Sequence, residues 1–124
     1  MAENRKKILL VEDDKFLSEM YATKLTGSGF DVETAFDGQE ALVKANAQKP
    51  NLILLDVVLP KMDGFEFLQL LKKEAAIADT PVIILTNLGQ KEEVEKGLKL
   101  GAKDYIIKAH FTPTEVVAKV KKLL

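Results

Sequence analysis

At 124 residues, 47% apolar and 30% charged, the chain is the size of one domain with its own core, and a formal net charge of −1 excludes a protein that holds nucleic acid by bulk positive charge. Without cysteine there is no disulfide framework and no thiolate metal site, which fits a reducing compartment. The opening from Met1 to Lys7 is polar and the apolar run behind it is too short for a signal-peptide core or a membrane span, so the sequence reads as a cytoplasmic single domain over 1–124.

Ile8-Leu9-Leu10-Val11 is a continuous apolar run, the pattern of a strand buried on both faces of a parallel sheet, and it ends in Glu12-Asp13-Asp14. From Lys15 the apolar residues change period: Phe16, Met20 and Tyr21 or Thr23 fall three or four apart, which predicts an amphipathic helix ending near Gly27-Ser28-Gly29. Phe30 to Ala35 alternates like a half-exposed strand. Asp37-Gly38-Gln39-Glu40 then supplies an N-cap with an acid three residues on, opening a helix through Ala41, Leu42 and Ala45 that Pro50 stops. Leu52 to Leu55 is a second buried strand type of run, and it delivers Asp56 to its carboxyl end before Pro60 and Gly64 mark a loop.

Phe65, Leu68 and Leu71 form the stripe of a third helix, with Lys72, Lys73 and Glu74 on its wet side. Val82 to Leu85 is a fourth strand presenting Thr86. The fourth helix starts near Gln90, carries Val94 and Leu98, and is closed by Gly101 at positive φ. Tyr105-Ile106-Ile107 is the fifth strand and ends in Lys108. His110 follows in a loop with no second imidazole or thiol to share a metal, and reads as solvated. Thr112-Pro113-Thr114-Glu115 is a helix start, and the last helix buries Val116, Val117 and Val120.

Strict alternation of strands and helices predicts an α/β fold, a five-stranded parallel sheet with helices on both faces. Ligands of such sheets bind beyond the carboxyl ends of the strands. Those ends carry Glu12-Asp13-Asp14, Asp56, Thr86 and Lys108. Singly, each has a plain reading: a turn aspartate, a helix-entry threonine, a surface lysine, and for Tyr105 a core aromatic. Together, carboxylates that close would repel and raise their own pKa values unless a cation neutralised them, and an oxygen-only donor set points to Mg²⁺. A carboxylate nucleophile, a divalent cation, a hydroxyl and an ammonium are the parts that phosphoryl transfer to aspartate requires.

The set Glu12-Asp13, Asp56 with Leu59-Pro60-Lys61-Met62-Asp63-Gly64, Thr86 thirty residues later, and Tyr105-Ile106-Ile107-Lys108 resembles the receiver domain of bacterial two-component response regulators, of the stand-alone CheY-like type, over essentially the whole chain. The resemblance implies the flavodoxin-like, doubly wound (βα)5 fold. It implies Asp56 as phospho-acceptor from a sensor histidine kinase, a phosphotransfer protein or a small acyl phosphate. Mg²⁺ would be held by Asp13, Asp56 and the backbone carbonyl of Val58, with Glu12 acting through water and Asp14 adding negative potential. Thr86 and Lys108 would engage phosphoryl oxygens while Tyr105 swings inward with Thr86. A downstream protein would dock on the face of the fourth helix, fifth strand and fifth helix, including Lys91, Glu95 and Lys99. The implied molecule is a regulatory domain rather than an enzyme, a monomer or phosphorylation-dependent dimer, without direct contact to nucleic acid or membrane.

Two positions depart from the family's pattern. Lys108 is followed by Ala109 where proline is usual, and because a non-proline cis bond costs about 2.5 to 4 kcal/mol, a trans bond and a rearranged Ala109-His110-Phe111 loop are expected. Asn87 stands where a very small residue is usual, which predicts narrower access. Val58 and Leu88 are bulky and apolar and predict a shielded, long-lived acyl phosphate. Three rival readings share these features in part. A flavin module would need a glycine- and hydroxyl-rich loop in place of Glu12-Asp13-Asp14. An aspartate-nucleophile hydrolase would need an acid in place of Val58. A pseudo-receiver would only bind proteins.

Overall fold

The computed structural model describes residues 5–124; residues 1–4 of the polar opening lie outside the described residues. The chain alternates β1 (Lys7–Val11), α1 (Lys15–Gly27), β2 (Asp31–Ala35), α2 (Gly38–Gln48), β3 (Leu52–Leu55), α3 (Gly64–Lys73), β4 (Val82–Thr86), α4 (Lys91–Lys99), β5 (Asp104–Ile107) and α5 (Pro113–Leu123). The strands form one parallel sheet in the order β2-β1-β3-β4-β5, with Val11 paired to Leu55 and Thr86 to Ile107. That register lines up the ends of β1, β3, β4 and β5.

Successive side chains of a strand point to opposite faces, and both faces here are covered. Leu9, Val11, Ile53, Leu55 and Ile84 pack with Ala41 and Ala45 of α2 and Phe67, Leu68 and Leu71 of α3. Ile8, Leu10, Leu52, Leu54, Ile83 and Ile106 pack with Tyr21 and Leu25 of α1 and Val116, Val117 and Val120 of α5. This double burial is why the central strands read as unbroken apolar runs, whereas edge strand β2 alternates.

Four helices begin on a side chain that accepts the N–H three residues on: Asp14 from Leu17, Asp37 from Glu40, Asp63 from Glu66 and Thr112 from Glu115, the last as a full capping box. Asp14, expected only to add negative potential, is therefore the N-cap of α1. Lys49 in the left-handed region, φ 47°, ends α2 ahead of Pro50, and Gly101 sits at φ 110° as expected.

Two helices depart from the stripe that the spacing suggested at one residue each, Phe16 in α1 and Leu98 in α4, while Tyr21 is buried as expected. Phe16 is 71% exposed, and α1 buries Ser18 and Leu25 together with Tyr21. Leu98 is 45% exposed, and the buried residue of α4 is Gly97. There a Cβ would stand 2.6 Å from Ile84 Cδ1 and 2.9 Å from the Tyr105 ring, so the helix lies too close to the sheet for any side chain. Lys108–Ala109 is trans, and the expected rearrangement takes the form of a 3-10 turn over Lys108–His110 with His110 exposed. Among the described residues no helix is long and apolar enough to cross a membrane.

Candidate functional site

Asp56 is the residue after β3, buried at the centre of the sheet's carboxyl edge. Its place depends on a close backbone approach: a Cβ at Gly64 would stand 2.6 Å from the Asp56 carbonyl oxygen, so only glycine lets the loop fold back beneath it. One carboxylate oxygen, Oδ1, accepts the Thr86 hydroxyl at 2.7 Å and the Val58 N–H at 3.0 Å. The other, Oδ2, accepts the Lys108 ammonium at 2.7 Å. Lys108 also pairs with Glu12, whose second oxygen accepts the Asp14 N–H at 3.0 Å. Thr86, the last residue of β4, has no exposed surface, and Glu12 is nearly as buried. Among the described residues every buried side-chain nitrogen or oxygen has a hydrogen-bond partner.

Glu12, Asp13 and Asp56 each offer a carboxylate oxygen, all within 4.8 Å of one another. These are hard oxygen donors facing a single ammonium, so the set carries uncompensated negative charge and suits a hard divalent cation. Asp13 is exposed, which leaves the cluster open to solvent on that side. Burial pushes the Glu12 carboxyl above its ordinary pKa, with the Lys108 and Asp14 contacts partly opposing it. Burial alone would lower Lys108, but hydrogen bonds to Asp56 and Glu12 outweigh it and the ammonium is held above its usual value.

The site continues sideways into the loop after β4. Thr86 Oγ1 accepts the Leu88 N–H at 3.3 Å, and the Leu88 carbonyl accepts the Tyr105 hydroxyl. The Tyr105 phenol is pushed up to about 12 by burial and by the charges of Glu93 and Asp56. Asp56 is thus connected through Thr86 and Leu88 to Tyr105 on β5, whose ring lies against Gly97 of α4. An open cleft of about 460 Å³ lies over Asp56, with Asp13, Asn87 and Lys108 on its walls and Leu17, Val58 and Leu88 as its apolar lining. Lys91, Glu95 and Lys99 are exposed one turn apart along α4, away from that cleft.

Glu12, Asp13, Asp56, Thr86 and Lys108, expected together from the strand ends, meet within hydrogen-bond reach or within the same acidic cluster. Among the contacts that went unforeseen are the Leu88 carbonyl as acceptor for Tyr105 and Asn87 Oδ1 as acceptor for the Ala109 N–H at 3.1 Å. The second had a signal in the sequence, since a residue other than proline after Lys108 has an N–H free to donate.

Residues 8–121 match the family model described as response regulator receiver domain. Over 124 residues the chain is 44% identical to the "Probable transcriptional regulator ycf27" of Cyanophora paradoxa, covering all of this chain and 50% of that one. It is 40% identical over 118 residues to the "DNA-binding dual master transcriptional regulator RpaA" of Synechocystis sp. (strain ATCC 27184 / PCC 6803 / Kazusa), covering 95% of this chain and 48% of that one. The chain therefore spans about half the length of the curated relatives it matches. The solved receiver domain of the Francisella response regulator 1452 superposes with a TM-score of 0.89 at 37% identity, over 96% of each chain. Since these relatives are named as transcriptional regulators, one of them DNA-binding, the expectation of no direct link to nucleic acid is not supported: net charge describes this domain's surface and says nothing of a longer protein.

Proposed function

Since the chain belongs to the family of response regulator receiver domains, we propose that it is a phosphorylation-driven switch in which Asp56 accepts the phosphoryl group. The observation that carries this reading is the convergence of the Thr86 hydroxyl and the Lys108 ammonium on the two oxygens of one buried carboxylate, at 2.7 Å each. An Asp56 oxygen attacks phosphorus as the bond from phosphorus to the donor breaks, and the electron pair leaves with the donor's imidazole nitrogen or acyl oxygen. Thr86 and Lys108 then hold the oxygens on which charge builds, and both are in place beforehand. Asp13, Asp56 and the Val58 carbonyl, with Glu12 through water, would hold Mg²⁺, which when bound supplies charge neutralisation at the phosphoryl group.

Phosphorylation draws the Thr86 hydroxyl to a new acceptor. Leu88, bonded to that hydroxyl, moves with it and re-seats Tyr105, so the face of α4, β5 and α5 with Lys91, Glu95 and Lys99 reports the state of Asp56. The upstream partner is a sensor histidine kinase or phosphotransfer protein in the cytoplasm. The downstream partner is a protein surface that reads this face, and Val58 and Leu88 slow hydrolysis by excluding water from the acyl phosphate.

Intact-mass spectrometry after incubation with acetyl phosphate tests the reading. A single Mg²⁺-dependent phosphoryl adduct is expected on the wild type and none on Asp56→Asn. No adduct from either acetyl phosphate or a phosphorylated kinase would sink it and leave a domain that acts only by binding proteins.

A further inference from the structure

We propose that Asn87 is a positioning residue for Lys108: its side-chain carbonyl clasps the backbone N–H of Ala109 and fixes the loop from which Lys108 reaches Asp56. The inference rests on the reading of Asp56 as phosphoryl acceptor and adds a residue to that site.

Lys108 stands where the β4–β5 ladder has already ended, since the last pair is Thr86 with Ile107. Beyond it the chain turns into the 3-10 turn Lys108–His110, and the first N–H groups of such a turn have no partner inside it. The N–H of Ala109 finds Asn87 Oδ1 at 3.1 Å, 22 residues back along the chain. The two ends of this bond each adjoin a site residue: Asn87 follows Thr86, and Ala109 follows Lys108. The clasp therefore extends the strand pairing by one rung at the level of the site, and it sets the base of the Lys108 stem relative to the Thr86 hydroxyl. A lysine stem has several free torsions, so fixing its root reduces the ordering needed when the ammonium engages a phosphoryl oxygen.

The same geometry joins two features that look unrelated in the sequence. A proline after Lys108 would have no N–H to donate, and a small apolar residue after Thr86 would have no side-chain oxygen to accept it. Asn87 and Ala109 make the bond only as a pair.

The clasp predicts the opposite sign from a bulky gate. If Asn87 merely narrowed the entrance, Asn87→Ala would speed phosphorylation. If it positions Lys108, Asn87→Ala slows Mg²⁺-dependent phosphorylation by acetyl phosphate about twofold to twelvefold, the range of one hydrogen bond of about 0.5 to 1.5 kcal/mol, and does so without further effect in a Lys108→Met background. Amide exchange at Ala109 should quicken in the same variant. A rate that is unchanged or raised, or a slowing that persists with Lys108→Met, overturns the proposal. A wild type that takes no phosphoryl group overturns the reading of Asp56 instead. In that case thermal unfolding decides the clasp: the Tm losses of Asn87→Ala and Lys108→Met should add to more than the loss of the double variant, and strict additivity refutes it.

Discussion

Lys108 shows how much depends on one side chain. It is the ammonium between two buried carboxylates, Glu12 and Asp56, and its own side chain is only 9% exposed. Replacing it by methionine keeps most of the stem but leaves both acids without a counter-charge, and breaking a buried pair in this way costs about 3 to 5 kcal/mol. The pH dependence follows from Glu12. Its pKa in the folded protein lies above the ordinary value because of burial, so its contribution to stability is present below that ordinary value and is lost as pH rises through the folded one. Without Lys108 the carboxyl shifts further up. The Tm deficit of Lys108→Met, followed by circular dichroism, should therefore be smallest near pH 4 and grow toward pH 7. Lys108 in the wild type follows the same sign at the alkaline end: held above its ordinary value, it contributes fully below that value and its contribution is lost only as pH rises through the folded one. A deficit independent of pH would mean that the loss is one of packing alone.

Among the elements, α4 carries the most specific packing. Glycine is a poor helix former, and Gly97→Ala would gain about 1 kcal/mol from helix propensity in isolation. Here the added methyl meets Ile84 Cδ1 at 2.6 Å and the Tyr105 ring at 2.9 Å, and overpacking of that kind costs about 1 to 3 kcal/mol. The variant should be no more stable than wild type despite its better propensity. It should also displace Tyr105 from its seat, so the phenol, pushed up to about 12 in the wild type, should titrate closer to 10 when followed by NMR of ring-labelled tyrosine. An unshifted Tyr105 would show that α4 moves away from the ring. Sequence spacing placed α4 correctly but assigned Leu98 to its buried side, because periodicity ranks residues by apolarity and cannot see that the helix approaches the sheet closely enough to require no side chain at all. α1 misled in the same way: Phe16 is the more apolar residue, yet Ser18 is the buried one.

At the scale of the whole molecule, ion binding and folding are linked. A cation that binds only the folded state stabilises it by mass action, about 2.7 kcal/mol at a hundredfold excess over Kd. Mg²⁺ should thus raise Tm progressively with concentration. Asp13 is exposed and, among the described residues, has no salt-bridge partner, so Asp13→Ala should leave the Mg²⁺-free Tm nearly unchanged and remove most of the Mg²⁺-induced rise in differential scanning calorimetry. A rise that survives the substitution would place the ion elsewhere than at the strand ends.

The sequence by itself determined the alternation of elements, the parallel sheet and the residues that end each strand. Those are local matters: runs such as Leu52 to Leu55 report double-sided burial, and caps such as Asp37 and Thr112 report helix starts through hydrogen bonds three residues long. Tertiary structure alone decided that Ser18 and Gly97 are buried while Phe16 and Leu98 are exposed, that Lys108 reaches both Glu12 and Asp56 from a trans peptide, and that Asn87 and Ala109 belong together. These depend on distances between segments 22 to 96 residues apart in the chain, set by the common register of the sheet and the closeness of each helix to it.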